Sequence, residues 1–157
     1  MRSSSFLFVS TVACLLASQS LPASAAGLQE AKTTGLITTD GLKWQEINAD
    51  NFPKGMKVAV LVSSGDYSIA RIWMPPNSQI PPHMHSGNAE AVTMIEGKIG
   101  FGFGKTMDKT VPMVGPGAFF VLAEGDYHYV WTGDEPAVWD VQVEKNSDTT
   151  FAPMKMN

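Results

Sequence analysis

The sequence predicts an all-β protein with one closed barrel and little helix, and three observations carry that reading. From Leu42 onward, short runs rich in Val, Ile, Phe, Tyr and Trp recur, parted about every eight to twelve residues by Gly, Pro, Asn or Asp. No stretch past the first thirty or so residues sustains an apolar period of about 3.6, so helices are single turns at most. Many short strands joined by tight turns leave unpaired edges unless they close into a barrel or stack as a sandwich.

The elements follow in order. Strands are expected at Lys57–Val62, Tyr67–Met74, Ala91–Glu96, Lys98–Phe103, Gly117–Leu122, His128–Thr132 and Ala137–Glu144. Turns are expected at Ser64-Gly65-Asp66, Pro75-Pro76-Asn77, Glu96-Gly97, Glu124-Gly125-Asp126 and Gly133-Asp134. In Gly100-Phe101-Gly102-Phe103-Gly104, glycine alternates with a bulky ring, which lets one face approach neighbouring groups closely while the other fills space. No repeat or linker interrupts this pattern, and one barrel domain over residues 41–146 is the simplest division. It is preceded by a flexible leader at 27–40 and followed by a tail at 147–157.

The first residues belong to a different class. Arg2 supplies a positive start, Phe6 to Ala17 is apolar apart from Ser10 and Thr11, and Pro22 precedes the small-residue series Ala23-Ser24-Ala25-Ala26. Charge, apolar run and small residues in that order make residues 1–26 a secretory signal peptide, since the run falls short of the ~20 apolar residues a membrane span needs. The expected location is therefore periplasmic or secreted, with no membrane attachment after cleavage. Cys14 is the chain's one cysteine and lies in this segment, so the mature part offers neither a disulfide nor a thiolate metal site. With Arg2 removed, ten basic residues face fifteen acidic ones without a Lys/Arg cluster, which excludes a nucleic-acid partner of the usual electrostatic kind.

The chemistry gathers around the three histidines of the chain, His83, His85 and His128. On a strand, positions two apart point to one side, so His83 and His85 present both imidazoles to the same face. Glu90, five residues on, can add a carboxylate. Imidazole nitrogens with one carboxylate oxygen suit a divalent transition metal (Mn, Fe, Co, Ni, Cu or Zn), with one or two positions left for water or substrate. A bare His-x-His on a half-exposed strand is more often a surface feature; the ordered spacing around this pair argues otherwise.

That spacing resembles the cupin superfamily. Its first motif reads G, five residues, H-x-H, three or four residues, E, six residues, G; here Asn77, His83, His85, Glu90 and Gly97 fall at those places, with Asn77 for the first glycine. Asn tolerates a positive φ better than most residues, so the turn survives the exchange. The second motif reads G, five residues, P-x-G, two residues, H, three residues, N, and is met by Gly117, Ala123, Gly125, His128 and Thr132, with Ala and Thr in the proline and asparagine places. The resemblance spans about Asn51 to Glu144. It implies a cupin-type barrel, a double-stranded β-helix or jelly roll, holding one metal ion through His83, His85, Glu90 and His128.

With the histidines as ligands, chemistry would come from the ion, and Glu90 is the candidate catalytic proton acceptor. The leading expectation is a metal-dependent enzyme, a dioxygenase, oxidase, decarboxylase or isomerase, on a small organic acid or oxygen-rich molecule. The alternatives are a non-catalytic module binding a metal or small ligand, and a storage or structural member with a plugged cavity. Arg71 and Gln79 are candidate anchors for a substrate carboxylate, although an Arg in a strand is more often a solvated or paired surface group. Met94, Phe101, Phe103 and Trp139 are assigned to core or pocket wall. Alternation turns Tyr127, Tyr129 and Trp131 outward, into a packing layer or a dimer face, and an apolar outer face of that kind suggests a homodimer.

Overall fold

The computed structural model describes residues 35–63, 67–87, 89–144 and 148–153. The expected signal peptide, most of the expected leader and the expected turn at Ser64-Gly65-Asp66 lie outside the described residues. Eleven strands form within them: β1 Gln45–Glu46, β2 Lys57–Ser63, β3 Tyr67–Met74, β4 Gln79–Ser86, β5 Glu90–Glu96, β6 Ile99–Phe103, β7 Met113–Val114, β8 Phe119–Leu122, β9 His128–Thr132, β10 Ala137–Glu144 and β11 Asp148–Phe151. Among the described residues helix is confined to a single 3-10 turn at Thr39–Gly41.

The strands form two antiparallel sheets, one ordered β1-β2-β3-β10-β5-β8 and the other β11-β4-β9-β6-β7. Their inner faces share one core, because alternation sends one residue in two to the same side. On β3 the buried series is Ser68, Ala70, Ile72 and Met74; on β10 it is Ala137, Trp139, Val141 and Val143. Met94 and Trp139 lie in that core as expected, but Phe103 is 62% exposed at the end of β6 and is not core.

The glycine and ring alternation on β6 has a specific partner. Gly100 pairs with Trp131 and Gly102 with Tyr129 across the β6–β9 ladder. A Cβ built on either glycine would fall among the atoms of the facing ring. Tyr129 and Trp131 do point away from the barrel interior, yet they lie on the glycine backbone and are only 2% and 6% exposed. The apolar outer face that suggested a homodimer is therefore not made by these two rings.

The turns carry the expected backbone. Asn77 adopts φ +52, the left-handed value its place in the first motif requires, and Gly97 and Gly125 adopt +67 and +80. Thr132, standing where the second motif has asparagine, ties the β3–β4 turn to the end of β9. Its hydroxyl donates to Pro75 O at 2.6 Å and accepts from Ser78 N–H at 3.1 Å, while Asn77 N–H donates to Gly133 O at 2.7 Å.

Four strands depart from the sequence reading. β4 has no run of β-formers because Pro81 and Pro82 interrupt it, and its ladder with β9 shifts register between Ile80 and His83. Proline has no N–H to offer a ladder, so a bulge there is expected. β1 and β7 are two-residue pairings too short to read. β11 pairs with β4 from Asp148↔Ser86 to Phe151↔His83, within the segment read as a tail, where no strand was expected.

Candidate metal centre

His83 and His85 lie on β4 and His128 opens β9, where His83 and His128 are register partners. All three sit on inward positions of one sheet. Glu90 reaches the same place from the other sheet, as the first member of the inward series Glu90, Val92, Met94 on β5. Strand alternation alone thus brings four residues from two sheets to one end of the barrel, and all four are buried.

The imidazoles offer one nitrogen each within a shared space of 4.8 Å. Their far nitrogens are engaged: His83 Nδ1 lies 2.8 Å from Pro81 O, His128 Nδ1 lies 3.1 Å from Asp126 O, and His85 Nδ1 lies 3.2 Å from Thr149 Oγ1. A carbonyl oxygen only accepts, so Nδ1 of His83 and of His128 carries the proton and Nε2 carries the lone pair. This is how metal-ligating histidines are commonly oriented. Packing holds the rings as well: Phe101 stacks on His128 at 5.6 Å between centroids, and Phe151 lies against His83 at 5.4 Å.

Glu90 Oε2 supplies a second sign. It lies 2.9 Å from His85 Nε2, yet it is a buried oxygen without a hydrogen bond. The short distance and the missing bond are consistent if both atoms face a common third point instead of each other. A buried carboxylate oxygen left unbonded is costly, and a cation at that point removes the cost. Three neutral imidazoles and one carboxylate fit a divalent transition metal ion.

Burial keeps His83 and His128 uncharged. The His83 pKa is pushed down to about 3, chiefly by burial and then by nearby His128, and that of His128 is lowered, again chiefly by burial. In the unfolded chain His83 takes up its proton near 6.5. Between those values the unfolded state binds more protons, so folding stability rises with pH there and is lost as pH falls from about 6.5 towards about 3. The metal-free protein should lose melting temperature on acidification through this window, and His83→Gln should flatten that loss. Thermal melts from pH 7.5 to pH ~4 check it, and a melting temperature that rises on acidification would contradict it.

The four residues line a partly open cavity of about 30 Å³, otherwise walled by apolar side chains such as Ile80, Val92, Phe101 and Phe120. At roughly 10–15 Å³ for each water position, this is space for an ion with a very small ligand. The expected carboxylate anchors are elsewhere. Arg71 lies on the outward series of β3 and makes a two-pronged bond with Asp140, Nε–Oδ1 2.7 Å and Nη2–Oδ2 2.8 Å; Gln79 is exposed and does not line the cavity. Sequence reasoning missed Thr149 and Phe151, both from the segment read as a tail. The β8–β9 turn of the second motif is fastened to the site by Gly125 N–H, which donates to His85 O at 2.9 Å.

Among known proteins, the chain is 37% identical over 79 residues to the germin-like protein 4-1 of Oryza sativa subsp. japonica, covering 45% of this chain and 31% of the relative. It spans about a third of the length of the curated relatives it matches. The polyketide cyclase RemF from Streptomyces resistomycificus superposes with a TM-score of 0.63 at 18% identity, covering 77% of this chain and 88% of that one. A sugar phosphate isomerase from Silicibacter pomeroyi superposes at 0.60 and 16% identity, covering 78% and 84%. At such identities these likenesses concern the fold, and the two neighbours carry different chemistries on it. Among the described residues no helix is long and apolar enough to cross a membrane. The cupin family profile matches residues 27–154, most of the chain and both histidine motifs, and with the jelly-roll sheets and the clustered histidines it establishes that this chain belongs to the cupin family.

Proposed function

We propose that this chain is an exported cupin that holds one divalent transition metal ion through His83, His85, His128 and Glu90 and uses it as an enzyme on a small oxygen-rich molecule or organic acid. The observation that carries the reading is that His83, His85 and His128 each bring a buried ring nitrogen within 4.8 Å of the others, with the unbonded Glu90 Oε2 2.9 Å from His85 Nε2. Export rests on the charge, apolar run and small-residue order of residues 1–26. When bound, the ion supplies Lewis acidity and exchangeable positions for a ligand. The chain's own residues hold the imidazoles in one tautomer, keep bulk water out with the apolar wall, and offer Glu90 Oε2 as the group that accepts a proton from a ligand. Because Arg71 is bound to Asp140 outside the barrel, a substrate carboxylate has the ion as its counter-charge.

The test is incubation of the metal-loaded protein with a panel of organic acids under an oxygen electrode, with product analysis. Turnover lost in Glu90→Gln supports the enzyme. The small cavity favours a second reading, a module that captures the ion itself, and saturable metal binding without any turnover would select it.

We further propose a homodimer, now on a different face from Tyr129 and Trp131. Phe119 and Val121 on β8, the edge strand of the six-stranded sheet, are 63% and 57% exposed, and a second copy would cover them. Light scattering should give twice the chain mass at tens of micromolar, and Phe119→Asp should halve it. A monomeric mass for the parent chain at that concentration would rule the dimer out.

A further inference from the structure

The last strand brings two side chains to the histidines. β11 runs antiparallel to β4 with Thr149 opposite His85 and Phe151 opposite His83, and Ala152 N–H donates to Pro82 O at 2.8 Å just beyond it. Thr149 Oγ1 lies 3.2 Å from His85 Nδ1. Phe151 is itself held edge-on by Phe52, with ring centroids 5.5 Å apart.

The three histidines differ in how they are held. His83 and His128 each meet a backbone carbonyl two residues earlier in their own strand segment, a contact the local chain supplies by itself. His85 meets a side-chain hydroxyl that arrives from 64 residues away. A carbonyl forces the proton onto Nδ1; a hydroxyl can accept or donate, and so orients the ring without dictating the tautomer. The His85 orientation therefore depends on β11 being docked and on residue 149 carrying a hydroxyl.

We propose that Thr149 is a positioning residue of the metal centre: docked by β11, its hydroxyl accepts from His85 Nδ1–H and turns Nε2 towards the point faced by His83, His128 and Glu90. This rests on the metal-binding reading above. Phe151 supports the same arrangement by backing His83, so the segment read as a tail is part of the site. Loss of such an outer hydrogen bond to a ligating histidine costs typically 10–100-fold in metal affinity.

The test uses the full chain and Co²⁺ as the probe, with affinity from competition against a chelator, the visible ligand-field spectrum, and the melting temperature of the metal-free form. Thr149→Val keeps the shape and removes the hydroxyl; it should weaken Co²⁺ binding about tenfold and alter the spectrum while the metal-free melt stays near the parent's. Thr149→Ser restores the hydroxyl and should restore affinity and spectrum. Parental affinity in Thr149→Val, or equal weakening in Val and Ser variants, overturns the proposal. Absence of Co²⁺ binding by the parent chain, or parental binding in His83→Ala, would instead overturn the metal reading, so the two failures are distinguishable.

Discussion

His128→Ala should lose at least ~100-fold in divalent metal affinity, more than the loss of an outer hydrogen bond to a ligand would produce. His128 is the sole histidine of the site outside β4, and its removal leaves only the two imidazoles of one strand and Glu90 to hold an ion. The effect extends to stability, because an ion that binds the folded state alone stabilises it by mass action. At a metal concentration ~1,000 times the parent dissociation constant the stabilisation is about 4.1 kcal/mol, and a hundredfold weaker site retains about 1.4. The difference corresponds to roughly 10 °C in melting temperature for a domain of this size. Calorimetric titration and melts with and without metal check both numbers. A variant with the parent's metal content and the parent's metal-dependent shift would show that His128 is no ligand.

Gly100→Ala should cost about 3 kcal/mol, at the upper end of what forcing a methyl group into a filled space produces. The added Cβ would lie within the indole of Trp131, which is buried and rests flat on the β6 backbone, so neither partner can yield without opening the β6–β9 ladder. That ladder also carries His128 opposite Phe103, and the strain should therefore reach the metal centre as a weaker site. Gly102→Ala against Tyr129 should behave in the same way. Urea denaturation measures the change. A loss below about 0.5 kcal/mol would mean that the rings do not close on the glycines.

The candidate ligands were legible because their chemistry is rare in this chain. Three histidines in 157 residues fall at strand-compatible places, with a carboxylate at the right distance and turn residues around them. The alternation rule then delivers His83, His85 and Glu90 inward without knowledge of the neighbouring strands. Asn77 was legible for a similar local reason, since a positive φ is a property of one residue and its turn.

What failed depended on partners far along the chain. β11 is Asp-Thr-Thr-Phe, a polar segment with no strand pattern of its own, and it forms because β4 exposes an edge more than 60 residues upstream. Thr149 and Phe151 could not be assigned to the site without that pairing. Arg71 was read as a paired or solvated surface group with the anchor role as the lesser candidate, and its partner could not be named because the sequence does not say that Asp140 stands opposite it on β10. The outward direction of Tyr129 and Trp131 and their packing were legible, but what they pack on was not, because the glycines that receive them lie on another strand.

The central claim is that four side chains from two sheets hold one metal ion. Elemental analysis of the protein purified from its own host without chelators, in parallel with the His83→Ala/His128→Ala double variant, tests it most directly. The account expects about one divalent transition metal ion per parent chain and none in the double variant, the full ligand set being needed for tetrahedral or higher coordination. A parent chain that carries no metal and takes up none when it is supplied, or a double variant with the parent's content, would contradict it.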